Sequence, residues 1–143
     1  MAFNPGGDLL VTAADDHIIR LWDVRTGTIA KQWTGYEASC ADIAFHPLPG
    51  PPGKSVLLFT LYGDGKIYIW DTRTGEQVAA FPAIERERAA SLSIAPDGTR
   101  LVASGFDGTF KTWDLAWFKP HIKDTVDFWR KNPPTTPEAL PVK

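Results

Sequence analysis

Three times in this chain of 143 residues an Asp is followed six positions later by a Trp-Asp pair: Asp16 by Trp22-Asp23, Asp64 by Trp70-Asp71, and Asp107 by Trp113-Asp114. An interval kept three times marks a structural repeat. Units that recur every 40 to 50 residues or so are too small to bury an apolar face alone, so they must stack on one another. The requirement confines the chain to architectures in which one small sheet or hairpin unit is laid against the next.

Each unit opens with a short apolar stretch that ends in a turn built on Pro: Ala2-Phe3-Asn4-Pro5-Gly6-Gly7, Ile43-Ala44-Phe45-His46-Pro47, and Ser93-Ile94-Ala95-Pro96-Asp97-Gly98. Pro fixes φ and Gly admits positive φ, so these are tight reversals. From Pro to Trp the interval is 17 residues in the first and third units and 23 in the second. The surplus falls in the Pro/Gly-rich segment 48–54, which reads as an enlarged loop between two strands.

The next strand is the most apolar of each unit, over Leu9 to Ala14, Val56 to Leu61 and Arg100 to Ser104. A run apolar on both faces suits a strand inside a stack. The turn after it carries Asp16-His17, Asp64-Gly65 and Asp107-Gly108, where Asp-Gly signals a hairpin because both residues tolerate left-handed backbone. A third strand then alternates with a period of two, so that Ile18, Arg20 and Trp22 point one way and Ile19 and Leu21 the other. Behind the first two Trp-Asp pairs comes another shared turn, Val24-Arg25-Thr26-Gly27 and Thr72-Arg73-Thr74-Gly75. A fourth strand is expected over Thr28 to Trp33 and Glu76 to Phe81. The third unit lacks that turn after Leu115 and has three strands.

These residues resemble the WD-repeat (Trp-Asp repeat) β-propeller family, over residues 2 to 115. The resemblance implies an all-β fold of antiparallel four-stranded blades, two of them complete and one three-stranded, in an open partial propeller. Unit boundaries are expected near 2–34, 35–83 and 84–115. In such a family each blade is tied by a side-chain network of His, Asp, Ser/Thr and Trp. By position Asp16, Asp64 and Asp107 match the turn Asp, Trp22, Trp70 and Trp113 the Trp, and Thr12 and Thr60 the hydroxyl; Asp23, Asp71 and Asp114 complete the Trp-Asp pairs. The Gly-His position instead reads Gly35-Tyr36 in one linker and has no equivalent near Ile84-Glu85 in the other, and Ala103 stands where the third hydroxyl belongs. With the networks incomplete, the three turn Asp residues are expected to bond backbone N–H groups of their own turns.

Closed propellers have four to eight blades, and three units cannot close a ring. The start at Met1, part-way through a first strand, suggests a fragment, a misplaced start codon or one part of a larger gene product. The C-terminal segment is expected to cap the stack. Pro120 suits a helix's first turn, and Phe118, Ile122, Val126 and Trp129 recur at helical spacing until Asn132-Pro133-Pro134. The expectation is a capping helix within 116–131, followed by a loose Pro-rich tail over 132–143.

Composition narrows the function. Fifteen Lys and Arg against 17 Asp and Glu, a formal net charge of -2, provide no basic field for nucleic acid. Neither a signal sequence nor an apolar stretch of about 20 residues is visible, so a soluble, cytoplasmic chain without membrane contact is expected. The single Cys40 excludes an intrachain disulfide and reads as a small core residue. Asp15-Asp16-His17 is explained by turn chemistry, and His46 and His121, each beside a Pro, are expected to be exposed. No catalytic residue, metal or cofactor is expected.

The function that remains is a non-catalytic protein–protein interaction scaffold, the C-terminal part of a propeller; the alternative is the regulatory C-terminal segment of a multidomain enzyme such as a protein kinase. Tyr36, Tyr62, Phe106, Arg25 and Arg73 lie in or beside turns and are the candidate contacts for a protein or peptide partner, because Tyr and Arg are favoured at interfaces. Self-association, or association with missing blades, is the second partner expectation: two copies could complete about six blades.

Overall fold

The computed structural model describes residues 1–34, 37–47, 56–85 and 88–115. Among the described residues eleven strands form three antiparallel sheets. Blade 1 contains β1 (Ala2–Phe3), β2 (Leu9–Ala13), β3 (Ile19–Asp23) and β4 (Thr28–Trp33), hydrogen-bonded in chain order. Blade 2 repeats that order with β5 (Cys40–Phe45), β6 (Leu57–Tyr62), β7 (Lys66–Asp71) and β8 (Gln77–Pro82). Blade 3 has β9 (Ala89–Ile94), β10 (Arg100–Gly105) and β11 (Phe110–Asp114). The all-β, open, partial-propeller reading therefore holds among the described residues. The insertion at 48–54 and the expected helix and tail beyond residue 115 lie outside them.

Register makes the three sheets equivalent. Trp22, Trp70 and Trp113 pair with Leu10, Leu58 and Leu101 of the preceding strand. The first two fourth strands bulge at the same place, after Leu21 and after Ile69. The turn chemistry recurs too: His17, Gly65 and Gly108, each following its turn Asp, have φ of 59°, 80° and 81°. Left-handed backbone there is what lets a two-strand reversal match the twist of its sheet.

The blades stack face to face and form two apolar layers. Between blades 1 and 2 lie Val11, Ile19, Leu21 and Trp33 against Phe45, Leu58 and Trp70. Between blades 2 and 3 lie Phe59, Ile67, Ile69 and Phe81 against Leu92, Leu101 and Trp113. Position in the stack decides burial. Every residue of β6 is buried, because blade 2 is covered on both faces, whereas β2 and β10 are buried mainly on the side that meets blade 2. The expectation of a doubly apolar second strand thus holds for the middle blade alone.

Two expectations about exposure are corrected. Tyr62 was expected beside a turn at the surface, but it ends β6 at 1 % exposure and meets Tyr68 edge-on, ring centroids 5.1 Å apart. Alternation directs its ring into the layer between blades 1 and 2. His46 is 2 % exposed, because it reaches blade 3, where its Nε2 lies 3.3 Å from the Gly98 carbonyl.

Candidate partner-binding turns and the blade network

The turn Asp residues each hold their own reversal. Asp16 Oδ1 accepts the Ile18 N–H at 3.1 Å, Asp64 Oδ1 that of Lys66 at 3.0 Å, and Asp107 Oδ1 that of Thr109 at 3.0 Å. The remaining carboxylate oxygen turns to a neighbour. Asp16 pairs with Arg20 at 2.8 Å, Asp64 accepts from Tyr68 Oη at 3.1 Å, and Asp107 meets Arg88 at 3.3 Å. The Arg20 hydrogen bond, then the Ile18 N–H, holds the Asp16 carboxyl below its ordinary range; the Thr109 hydroxyl and N–H do the same for Asp107. Donors directed at the ionised form favour it.

The Trp-Asp pairs divide their work. Trp22 Nε1 donates to Thr12 Oγ1 at 2.9 Å and Trp70 Nε1 to Thr60 Oγ1 at 3.0 Å. Trp113 Nε1 is buried with no acceptor among the described residues, as Ala103 occupies the register position of Thr12 and Thr60. Asp23 and Asp71 organise the turn that follows: Asp23 Oδ1 accepts the Thr26 N–H at 3.0 Å, and Asp71 Oδ1 accepts those of Arg73 and Thr74 at 2.8 and 3.0 Å. Asp114 ends β11 and is exposed.

Links between blades were not foreseen from the sequence. Asp42 in β5 accepts the Ser91 hydroxyl at 2.8 Å and the Leu92 N–H at 2.7 Å, both in β9. Trp33 Nε1 donates to the Gly75 carbonyl at 2.8 Å while its ring meets Trp70 at a centroid distance of 5.4 Å. The one sequence signal for Asp42 is an acidic residue inside a strand. A charge there costs stability unless it is paired, which argues for a specific acceptor role.

Of the candidate contact residues, Phe106 is 82 % exposed at the tip before β11. Its N–H donates to the Arg88 carbonyl at 2.8 Å, and the Arg88 side chain reaches Asp107, so an apolar ring stands on a fixed support. Arg25 and Arg73 are exposed in the turns that follow β3 and β7. Those turns and the Asp turns sit at opposite ends of each blade's third strand, so Phe106 and the two Arg residues occupy different ends of their blades. Tyr36 lies outside the described residues. Cys40 is half-buried, and burial followed by the nearby Asp42 charge pushes its thiol up to about 12. Among the described residues no group of three or more His, Cys, Asp or Glu could hold a metal, and no helix is long and apolar enough to cross a membrane.

The family model described as WD domain, G-beta repeat matches residues 1–23 and 86–114, which contain most of blade 1 and all of blade 3. The chain belongs to the WD-repeat family. Blade 2 lies outside both matched regions, yet it has the WD-repeat register and the same Trp–Thr bond. Among similar WD-repeat relatives, the Denticleless protein homolog of Danio rerio is 28 % identical over 80 % of this chain and 21 % of its own length. Protein groucho of Drosophila melanogaster is 29 % identical over 78 % of the chain and 14 % of its own length. The nuclear distribution protein PAC1 of Arthroderma otae is 30 % identical over 85 % and 27 % respectively. The chain thus spans about a quarter or less of these relatives.

Proposed function

We propose that this WD-repeat chain is a protein-interaction scaffold that presents turns to protein or peptide partners and takes part in no catalysis. The observation that carries the reading is Phe106, an exposed aromatic whose backbone is anchored by Arg88 and whose neighbour Asp107 is ion-paired to the same Arg. A ring carried on an anchored backbone has only its own side-chain rotation left to lose on binding, and aromatic and Arg side chains supply most interface hot spots. Arg25 and Arg73 are secondary contacts at the other end of the blades. The relatives' WD-repeat identity supports the general role. Self-association or association with blades outside this chain belongs to the same reading. No observation favours the regulatory segment of a larger enzyme.

Panning a random peptide library on the full chain tests the proposal. Selected peptides should lose about tenfold or more in affinity for Phe106→Ala, the effect of removing a hot-spot ring. Peptides that bind Phe106→Ala as well as the original chain would remove Phe106 from the role. A failure to select any peptide above an unrelated β domain would remove the scaffold reading.

A further inference from the structure

We propose that Ser91 is a phosphorylation site for an Arg-directed Ser/Thr protein kinase, and that the phosphate opens the contact between blades 2 and 3. The proposal goes beyond the scaffold reading and does not depend on which partner the turns bind. Arg86 and Arg88 stand five and three residues before Ser91, in Arg86-Glu87-Arg88-Ala89-Ala90-Ser91. Of the hydroxyl residues in the chain only Ser91 has Arg at both places; Thr28 has one, Arg25. Kinases of this class choose substrates by charge pattern, seating each guanidinium on carboxylates of their own at a set distance from the acceptor hydroxyl. An extended substrate advances about 3.3 Å per residue, so the two Arg residues reach separate carboxylate pockets.

The fold holds that sequence within reach of an enzyme. β9 is an edge strand of its sheet, already extended, and Ser91 is exposed near its start. The Arg88 side chain is 53 % exposed, and its ion pairs are to Asp107 at 3.3 Å and Glu85 at 3.7 Å. Pairs as open as these are weak, so a kinase carboxylate can take the guanidinium over.

The acceptor hydroxyl is also one half of a bond between blades. Ser91 Oγ donates to Asp42 Oδ2 at 2.8 Å, and the same oxygen accepts the Leu92 N–H at 2.7 Å. Asp42 and Ser91 occupy equivalent places, each just before the residue that pairs with Thr60 or Ala103. Phosphoryl transfer breaks the bond from Pγ of ATP to its bridging oxygen and forms the bond from Pγ to Ser91 Oγ. The hydroxyl proton passes to the catalytic carboxylate of the kinase, ADP leaves, and nothing is oxidised or reduced. The hydroxyl donor is thereby lost, and a group with a charge of about −1.5 to −2 takes its place beside the Asp42 carboxylate. Attraction becomes repulsion at hydrogen-bond range, so Asp42 turns away and releases the Leu92 N–H.

Incubating the folded full chain with ATP and a purified kinase that selects Arg at both places, then mapping phosphate by peptide mass spectrometry, tests the site. Phosphate on Ser91 is expected, at a rate lowered about tenfold or more by Arg88→Ala and not by Asp107→Ala, which removes an ion pair of Arg88 and keeps the Arg. Circular dichroism verifies the folding of each variant. Ser91 left unmodified in the original chain, or a rate indifferent to Arg88→Ala, overturns the site. In the phosphorylated chain, amide exchange at Leu92 should quicken about tenfold or more, with Val11 in blade 1 unchanged. Ser91→Asp should quicken Leu92 more than Ser91→Ala does, and that difference should vanish in Asp42→Asn, which lacks the opposing charge. Exchange at Leu92 no faster after phosphorylation overturns the opening of the contact.

Discussion

Trp70 Nε1 donates to Thr60 Oγ1 at 3.0 Å, and ten residues separate donor from acceptor just as they separate Trp22 from Thr12. The hydroxyl lies two positions diagonal to the indole across adjacent strands, within reach because both side chains are on one face of a pleated pair. Blade 3 retains the indole and has Ala103 for the hydroxyl.

Restoring that acceptor should stabilise the chain. Ala103→Ser is expected to add about 1 kcal/mol by giving the buried Trp113 N–H a partner, and Thr60→Val to remove about 1 to 3 kcal/mol by taking away the hydroxyl that accepts the Trp70 N–H. Urea unfolding midpoints measure both. A loss of stability in Ala103→Ser would show that the site is too tight for the extra oxygen.

Asp42 should couple blades 2 and 3. Asp42→Ala leaves the Leu92 N–H without its carboxylate and is expected to cost about 2 to 3 kcal/mol, against about 1 kcal/mol for Ser91→Ala, which retains the Leu92 bond. Amide exchange should quicken in β9 before β2 in the Asp42 variant. Uniform quickening across the blades would argue against a local clasp.

Gly65 is expected to tolerate no side chain. Its φ is 80°, and a Cβ would run into the Ile84 carbonyl oxygen, where the chain leaves blade 2 for blade 3. The Gly65 carbonyl also accepts the N–H groups of Ala83 and Ile84 at 2.8 and 3.0 Å. Gly65→Ala should cost more than about 2 kcal/mol, and Gly63→Ala, whose Cβ meets ordinary contacts, under about 1 kcal/mol. Thermal unfolding of the pair decides; equal effects would count against the crossing as the cause.

Acid should loosen the turns first. Asp16, Asp97 and Asp107 have carboxyls lowered from 3.8 in the folded chain by hydrogen bonds to the ionised form. A carboxyl lowered by folding stabilises the fold above its ordinary value and loses that contribution as pH falls through the lower, folded value. Thr109→Val removes the hydroxyl donor, so the Asp107 midpoint should rise toward 3.8 in a carboxyl NMR titration. An unmoved midpoint would show that the Thr109 hydroxyl is not what lowers it.

The order of strands was legible in the sequence because period-two alternation, Pro turns and Asp-Gly reversals are local signals. Thr28–Trp33 was bounded correctly by the Thr-Gly turn before it. The Trp–Thr bonds, and the Ala103 gap in the third, were implied by the resemblance to WD-repeat blades, and they hold in the structure because register repeats from blade to blade. Tyr62 and His46 were misjudged because their burial depends on a neighbouring blade more than on the adjacent turn. Asp42 was missed for the same reason: its partners Ser91 and Leu92 are about 50 positions away.

The sequence by itself determined the blade: strand order, turn geometry and the place of each Trp, all products of forces acting within a few residues or across one hairpin. Only the tertiary structure decided which faces are covered. Packing sheet on sheet buries the Leu58–Trp70 row and leaves the identical Leu10–Trp22 row half-open, a difference set by position in the stack and written in neither row.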